Sequence, residues 1–166
     1  MDRRTFLKAG IAAGLAIGAA GKLLNPRPEG VLASEETFEV TKTDEEWKAI
    51  LTADQYGILR HEKTEPPFKN KYYNNKVPGT YLCAGCDLPL FSSKEKYDSH
   101  TGWPSFWQPI EPTAVRTKTD FKLLYARTEC HCRRCGGHLG HIFDDGPPPT
   151  RLRYCINSGA LKFIPA

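Results

Sequence analysis

The sequence predicts a mainly β domain, in which twisted antiparallel strands follow two short helices. Beyond about residue 70 the apolar segments are short, and glycine, proline, asparagine and aspartate separate them. Segments of this kind are typical of antiparallel β structure. The predicted strands are 79–82, 88–91, 121–128, 151–156 and 160–164. With 166 residues and 40% hydrophobic content, the chain can form one packed domain with an appendage.

The two helices are predicted directly upstream of these strands. Thr43 and Glu46 form a capping box, in which the threonine hydroxyl accepts from the Glu46 amide and the glutamate reaches back to residue 43. Trp47 begins an apolar pattern at helical spacing. A second helix is predicted to begin at Thr52 and to run through Leu59. We expect both helices to cover one end of the sheet.

Residues 1–33 are predicted to be an export signal. The paired arginines Arg3 and Arg4 precede an apolar stretch of 13 residues, 9–21. That stretch is shorter than the roughly 20 residues that a transmembrane helix needs, and its length suits the apolar part of a signal peptide. The pattern Arg-Arg-x-Phe-Leu-Lys resembles the twin-arginine signal. We therefore expect a periplasmic or otherwise extracytoplasmic protein that meets the membrane only during export.

Small and aliphatic residues before position 34 predict cleavage after Ala33, with residues 18–20 as a second candidate site. An uncleaved N-terminal anchor is the alternative. Cleavage after Ala33 leaves residues 34–42 as a lead-in segment and residues 43–166 as the main domain.

The charge of the chain depends on this segment. The full sequence carries 23 basic and 19 acidic residues, a net charge of +4. Removing the five basic and two acidic residues of 1–33 leaves 18 and 17, a net charge of +1. With a nearly neutral domain, attraction of nucleic acid by a basic surface loses its support, and we expect no nucleic-acid partner.

Four of the six cysteines form two CxxC pairs, Cys83 with Cys86 and Cys132 with Cys135. Four thiolates at these spacings are the ligand set of a structural zinc site. The 45-residue gap between the pairs means that the metal would join two distant hairpins of one domain. Paired disulfides and a redox-active CxxC are the alternatives. A redox-active CxxC requires a strand before the motif and a long helix after it, and neither pair has that context. Zinc is favoured over disulfides because the twin-arginine pathway exports folded proteins, so the metal can be bound before export.

Of the other two cysteines, Cys155 is the candidate nucleophile. Arg153 and Asn157 lie two positions to either side, on the same face of a strand, where they can support a thiolate. His138 and His141, upstream, can exchange protons near neutral pH. The alternative reading of Cys155 is a buried core thiol.

With these cysteines and histidines in this order, the chain resembles the methionine-(R)-sulfoxide reductases, the MsrB family, over residues 43–165. The matching motifs are Glu65-Pro66-Pro67-Phe68, Cys83-x-x-Cys86, Gly102-Trp103-Pro104-Ser105-Phe106, Cys132-x-x-Cys135-Gly136, His138-Leu139-Gly140-His141, Asp145-Gly146-Pro147 and Arg153-Tyr154-Cys155-Ile156-Asn157-Ser158. The resemblance implies two twisted antiparallel sheets in a barrel-like domain. It also implies a four-cysteine zinc site remote from the active site.

The resemblance further implies a reaction and its residues. Cys155 attacks the sulfur of a peptide-bound methionine (R)-sulfoxide and becomes a sulfenic acid. The candidate proton donors are His138, His141 and Asp145. His141 is favoured, with His138 and Asp145 organising the water around it, but the sequence does not order the three. Trp103 packs against the methyl group of the substrate. The implied partners are oxidised proteins or peptides and a thioredoxin-like reductant, and we expect a monomer.

The sequence departs from the family at one position. Many members carry a second, resolving cysteine just before the Gly-Trp-Pro-Ser-Phe segment, where this chain has Thr101. Cys130 is the only spare thiol and has two readings, a buried structural residue or a relocated resolving cysteine. If it does not resolve the sulfenic acid, an external thiol must reduce Cys155 directly.

Two other classes of function are weaker. A zinc-ribbon binding module explains the CxxC pairs but leaves Cys155 and Arg153 without a role. A general disulfide oxidoreductase requires a redox-active CxxC in a thioredoxin-like pattern, which the sequence lacks.

Overall fold

The computed structural model describes residues 36–166. The predicted export signal, 1–33, and the first residues of the lead-in segment lie outside the described residues. Within 36–166, no helix is both long enough and apolar enough to cross a membrane.

Two short helices begin at the positions that the sequence predicts. Helix α1 spans Asp44–Ile50 and helix α2 spans Ala53–His61. Both have a complete capping box, with Thr43 and Thr52 as the N-cap residues. These caps satisfy backbone amides that short helices otherwise leave without partners. The buried face of α1 is Trp47, which packs into the core together with the apolar residues of α2.

The strands form two antiparallel sheets, as the resemblance implies. The strands are β1 Gly79–Cys83, β2 Pro89–Ser92, β3 Lys96–Tyr97, β4 Ser105–Phe106, β5 Val115–Asp120, β6 Arg127–Cys132, β7 His138–Phe143, β8 Arg153–Ile156 and β9 Leu161–Pro165. The smaller sheet has the order β2-β1-β9. The larger sheet has the order β3-β4-β8-β7-β6-β5, so the predicted strand that contains Cys155 lies near its centre.

An aromatic cluster forms the core between the sheets. Tyr81 of β1 and Phe91 of β2 are fully buried against Phe106 of β4. The Phe91 and Phe106 rings stack with centroids 4.4 Å apart, and the Tyr81 ring meets Phe106 edge-on at 5.1 Å. Aromatic pairs in these geometries contribute beyond the area they bury. The cluster therefore fixes the smaller sheet against the larger one.

The predicted strand at 121–128 is wrong over most of its length. Residues 121–126 form an exposed loop, and the strands lie on either side of it, as β5 and β6. The Asp120 carboxylate accepts a hydrogen bond from the Lys122 amide and pairs with Arg127. Because these contacts close the loop at its base, they override the strand propensity of its apolar residues.

Candidate active site and metal site

A small cavity of about 130 Å³ surrounds the Cys155 thiol. It is lined by Thr64, Trp103, Arg127, Gly140, His141, Phe143, Cys155 and Asn157. Four residues predicted from the sequence therefore meet in one place: Cys155, His141, Trp103 and Asn157. The other predicted active-site residues, His138, Asp145 and Arg153, do not line this cavity.

Strand register aligns the reactive groups. His141 of β7 lies directly opposite Cys155 of β8, and Glu129 of β6 lies opposite His141. Side chains that face each other across antiparallel strands share one face of the sheet. Gly140 makes this close approach feasible, because a Cβ atom there would lie 2.0 Å from the Cys155 carbonyl oxygen. The pairing thus requires glycine beside the histidine.

A carboxylate holds His141 in place. His141 Nε2 lies 2.8 Å from an Asp120 carboxylate oxygen, and Arg127 donates to the same oxygen at 2.6 Å. Hydrogen bonds from the Lys122 amide and from His141 keep the pKa of Asp120 well below its usual range. An ionised carboxylate only accepts, so Nε2 carries the proton and Nδ1 is the free nitrogen. Burial lowers the pKa of His141, and the bond to Asp120 opposes this without reversing it.

His138 lies behind this arrangement, where it is almost completely buried. Its Nδ1 lies 2.7 Å from a carboxylate oxygen of Glu129, whose other oxygen lies 3.0 Å from His131 Nδ1. Burial raises the pKa of Glu129, but the hydrogen bonds from His131 and His138 outweigh it and bring that pKa to about 2. The His138 ring is 5.4 Å from the His141 ring and meets it edge-on. His138 therefore packs against the His141 ring and is itself fixed by Glu129.

Arg153 and Asp145 form a bidentate ion pair beside the cavity. The Arg153 Nε and Nη2 atoms each donate to Asp145 at 2.8 Å. The guanidinium carbon lies 4.3 Å from the centre of the Phe143 ring, a cation–π contact. The neighbouring Arg153 lowers the pKa of Asp145. Asp145 thus holds the arginine and does not approach the histidines through any hydrogen bond in the described structure.

The Cys155 thiol is under two opposing influences. Burial raises its pKa above the ordinary value, while the positive charge of Arg153 and the Thr101 hydroxyl lower it. Thr101 belongs to a chain of hydroxyl groups, because its oxygen lies 2.8 Å from that of Ser99, which lies 2.7 Å from that of Ser105. The residue that stands at the position of the family's resolving cysteine therefore lies close enough to Cys155 to lower the pKa of its thiol.

The wall opposite the histidine is fixed by main-chain contacts. Trp103 Nε1 donates to the Glu65 carbonyl oxygen at 3.0 Å. The Asn157 side chain accepts from the Glu65 amide at 3.2 Å and donates to the Leu139 carbonyl at 3.0 Å. The Glu65 carboxylate accepts hydrogen bonds from the backbone amides of Ser158 and Gly159. Asn157 and Glu65 together hold the indole ring at the edge of the cavity.

The four CxxC cysteines form a compact cluster in another part of the domain. The Sγ atoms of Cys83, Cys86, Cys132 and Cys135 all lie within 4.8 Å of one another. The Cys83–Cys135 and Cys86–Cys132 sulfur distances are 3.7 and 3.5 Å. Four ligands at tetrahedral angles and 2.3 Å bonds give sulfur separations of about 3.8 Å, whereas a disulfide requires about 2.05 Å. The donor set and spacing therefore fit a tetrahedral metal and exclude paired disulfides.

Cys130 is fully buried and lies on the other face of the larger sheet. It pairs with Gly140 in β7, while the adjacent Glu129 pairs with His141. Successive residues of a strand point to opposite faces, so Cys130 faces away from Cys155. The sheet itself separates these two thiols.

Sequence reasoning missed two carboxylates of this site, Asp120 and Glu129. Both occupy the face of the larger sheet that carries His141, as the pairing of β5, β6 and β7 shows. Arg127 and Glu129 are two residues apart, and within one strand this spacing places both side chains on the same face. Recognising this requires the boundaries of β6, whereas the predicted strand 121–128 ends before Glu129.

Comparison with known proteins identifies a family. Residues 51–165 match the SelR domain family. The peptide methionine sulfoxide reductase MsrB of Leptospira interrogans is 54% identical over 126 residues, which cover 76% of this chain and 96% of that protein. MsrB of Thiobacillus denitrificans is 53% identical over 75% of this chain and 94% of its own. The chloroplastic peptide methionine sulfoxide reductase B1 of Arabidopsis thaliana is 48% identical over 83% of this chain and 68% of that protein.

The opposing charges near Cys155 predict a characteristic pH dependence. Because burial raises the thiol pKa and the thiolate is the reactive form, alkylation by iodoacetamide should accelerate only above the pH at which an ordinary cysteine reacts. Arg153→Gln removes a positive charge and should move the midpoint to higher pH. Asp145→Asn removes a negative charge and should move it to lower pH. Mass spectrometry of the Cys155 peptide gives the rates, and shifts of equal sign in the two variants would contradict this electrostatic account.

Proposed function

The chain belongs to the SelR domain family, and we propose that it is a peptide methionine sulfoxide reductase of the MsrB type, acting on the R epimer. The observation that carries the proposal is the cavity in which the Cys155 thiol lies opposite His141 on the adjacent strand. A thiol nucleophile beside a positioned proton donor is the combination that sulfoxide reduction requires.

The chemical step transfers two electrons from the cysteine to the substrate. The Cys155 sulfur bonds to the sulfoxide sulfur, and protonation of the sulfoxide oxygen gives an adduct whose central sulfur carries both the cysteine sulfur and a hydroxyl group. The hydroxyl group then moves to the Cys155 sulfur while the bond between the two sulfur atoms and the bond between oxygen and the substrate sulfur both break. This leaves Cys155 as a sulfenic acid and releases the substrate as the methionine thioether. The proton that the thiol loses in the attack is returned in the sulfenic acid, so atoms and charges balance.

His141 is the proton donor to the departing oxygen in this proposal. Its Nε2 donates to Asp120. Nδ1 is therefore the nitrogen that takes the proton from the Cys155 thiol and gives it to the sulfoxide oxygen. The low pKa of His141 makes its protonated form a strong acid, which suits transfer to a weakly basic sulfoxide oxygen. Trp103 and Phe143 supply apolar walls to the cavity, and the methyl group of the substrate packs against Trp103. A wall on one side of the sulfur selects one epimer by shape.

Regeneration of Cys155 depends on an external thiol. Thr101 has no sulfur, and Cys130 lies on the opposite face of the sheet, so we assign Cys130 a structural role. A reductant of the thioredoxin type attacks the sulfenic acid, releases water and forms a mixed disulfide with Cys155. Its second thiol then breaks that disulfide and restores Cys155.

We assign zinc to the four-cysteine cluster, because four thiolates in tetrahedral array are its usual structural ligand set. The residues that hold it are Cys83, Cys86, Cys132 and Cys135, and bound zinc would lock the turn after β1 to the turn after β6. We also propose that residues 1–33 direct export by the twin-arginine pathway and that the mature protein works as a monomer outside the cytoplasm.

An epimer-resolved assay tests the activity. Wild-type protein with dithiothreitol should consume the R epimer of N-acetyl-methionine sulfoxide and leave the S epimer, as followed by chiral chromatography. Cys155→Ser should lower the rate by at least about 10³-fold, since the nucleophile is lost. Consumption of the S epimer, or of neither epimer, would refute the proposal.

The role of Cys130 is tested with two reductants. Cys130→Ser should keep wild-type turnover within about twofold with dithiothreitol and with a reduced thioredoxin, because the buried thiol does not reach Cys155. If turnover collapses with thioredoxin alone, Cys130 is a resolving cysteine and our assignment is wrong. Thr101→Ser is the control variant, because it keeps a hydroxyl group near Cys155 and should likewise keep turnover with both reductants.

Metal removal should destabilise the domain. Elemental analysis should find one zinc ion per chain, and Cys86→Ser should lose it and lower Tm by more than about 10 °C, because metal binding contributes directly to folding. Cys130→Ser is the matched control, since it lies near the cluster without being a ligand. Full metal content in Cys86→Ser would contradict the assignment.

Export can be tested with a fusion of residues 1–35 to a folded reporter. Replacing Arg3 and Arg4 together with lysine should keep the reporter in the cytoplasm, whereas the native pair should deliver it to the periplasm of a bacterium with a twin-arginine system. Equal export of both fusions would argue against a twin-arginine signal.

A further inference from the structure

The loop between β5 and β6 carries an unusual apolar surface. Ten large hydrophobic side chains are exposed in the described part of the chain, and four of them lie in this loop. They are Phe121, Leu123, Leu124 and Tyr125, with Leu124 fully exposed. Isolated exposed apolar residues are ordinary, but a concentration of this kind marks a surface that meets another molecule.

The base of the loop is part of the active site. Asp120, at one end, holds His141, and Arg127, at the other end, lines the Cys155 cavity. The ion pair between them closes the loop, and Lys122 pairs with Glu62 at the end of α2. The loop is therefore held beside the reacting groups from both sides.

A groove lies beside both the Cys155 cavity and this loop. Its volume is about 350 Å³, and Tyr125 forms part of its wall together with Ile142 and Leu152. Arg127 and Phe143 line both the groove and the Cys155 cavity, so the two spaces are neighbours with these two side chains between them. A polypeptide whose sulfoxide enters the cavity therefore has the groove and the loop next to it.

From this adjacency we propose that the loop and groove bind the polypeptide next to the oxidised methionine and favour an apolar or aromatic neighbour. The inference rests on the proposed function, which places a peptide-bound sulfoxide in the cavity. Methionine is often buried among apolar residues, so a polypeptide that makes an oxidised methionine accessible exposes other apolar side chains with it. Such side chains match the apolar surface of Leu124 and Tyr125, whereas free methionine sulfoxide has no neighbouring residue to place there.

The test compares three substrates with dithiothreitol as reductant: N-acetyl-methionine sulfoxide amide, a seven-residue peptide with leucine on both sides of methionine sulfoxide, and the same peptide with serine instead. Wild-type protein should favour the leucine peptide by about fivefold in kcat/KM, through KM, as expected for partial burial of one apolar side chain. The double variant Leu124→Ser, Tyr125→Ser should lose this preference. Its activity on the small substrate should stay within twofold of wild type, which also shows that it folds.

Ile50→Ser is the matched control, because Ile50 is an exposed apolar residue on α1; it should keep the peptide preference. Equal kcat/KM for the two peptides in wild type, or an equal loss on all three substrates in the double variant, would overturn the inference. A defect confined to turnover with a reduced thioredoxin would assign the loop to the reductant and overturn it as well. If wild type reduces neither the small substrate nor the peptides, the proposed function itself fails.

Discussion

The pairing of β7 with β8 is the constraint on which the active site depends. It places His141 across from Cys155 on one face of the larger sheet. Backbone hydrogen bonds set this alignment, and a slip by one residue would turn every side chain of a strand to the opposite face. The absence of a side chain at Gly140 lets the two strands approach closely. The position of His141 relative to the Cys155 sulfur is thus set by the pairing of the two strands.

Carboxylates in neighbouring strands complete what the pairing begins. Asp120 orients His141, and Glu129 joins His138 to His131. Both carboxylates are largely buried, and buried charges persist only when hydrogen bonds compensate for the lost hydration. Loss of a carboxylate would remove the bond that orients its histidine, whereas loss of one histidine would leave Asp120 with Arg127 and the Lys122 amide, or Glu129 with the other histidine.

Local signals predicted the helices and the clustering of the four cysteines well. Thr43 caps α1, and this cap could be predicted because it depends on a neighbour three residues away. The CxxC spacing brings each pair of thiols together within a single turn. The loop at 121–126 was mispredicted because its apolar residues suit a strand, while the contact that shapes it, Asp120 with Arg127, spans seven residues. The link from Asp120 to His141 spans 21 residues and depends on the pairing of three strands. No local pattern records such a contact, so the supporting carboxylates emerged only with the fold.

The burial of the thiols limits what an oxidant can reach in this domain. Cys83, Cys130 and Cys132 are completely enclosed, and Cys135 is nearly so. Only Cys155 and the Cys86 edge of the four-cysteine cluster are partly accessible in the described domain. The single methionine of the sequence is Met1, and residues 36–166 contain none. The folded domain therefore offers an oxidant little sulfur apart from Cys155, and it contains no methionine side chain that could itself become a sulfoxide.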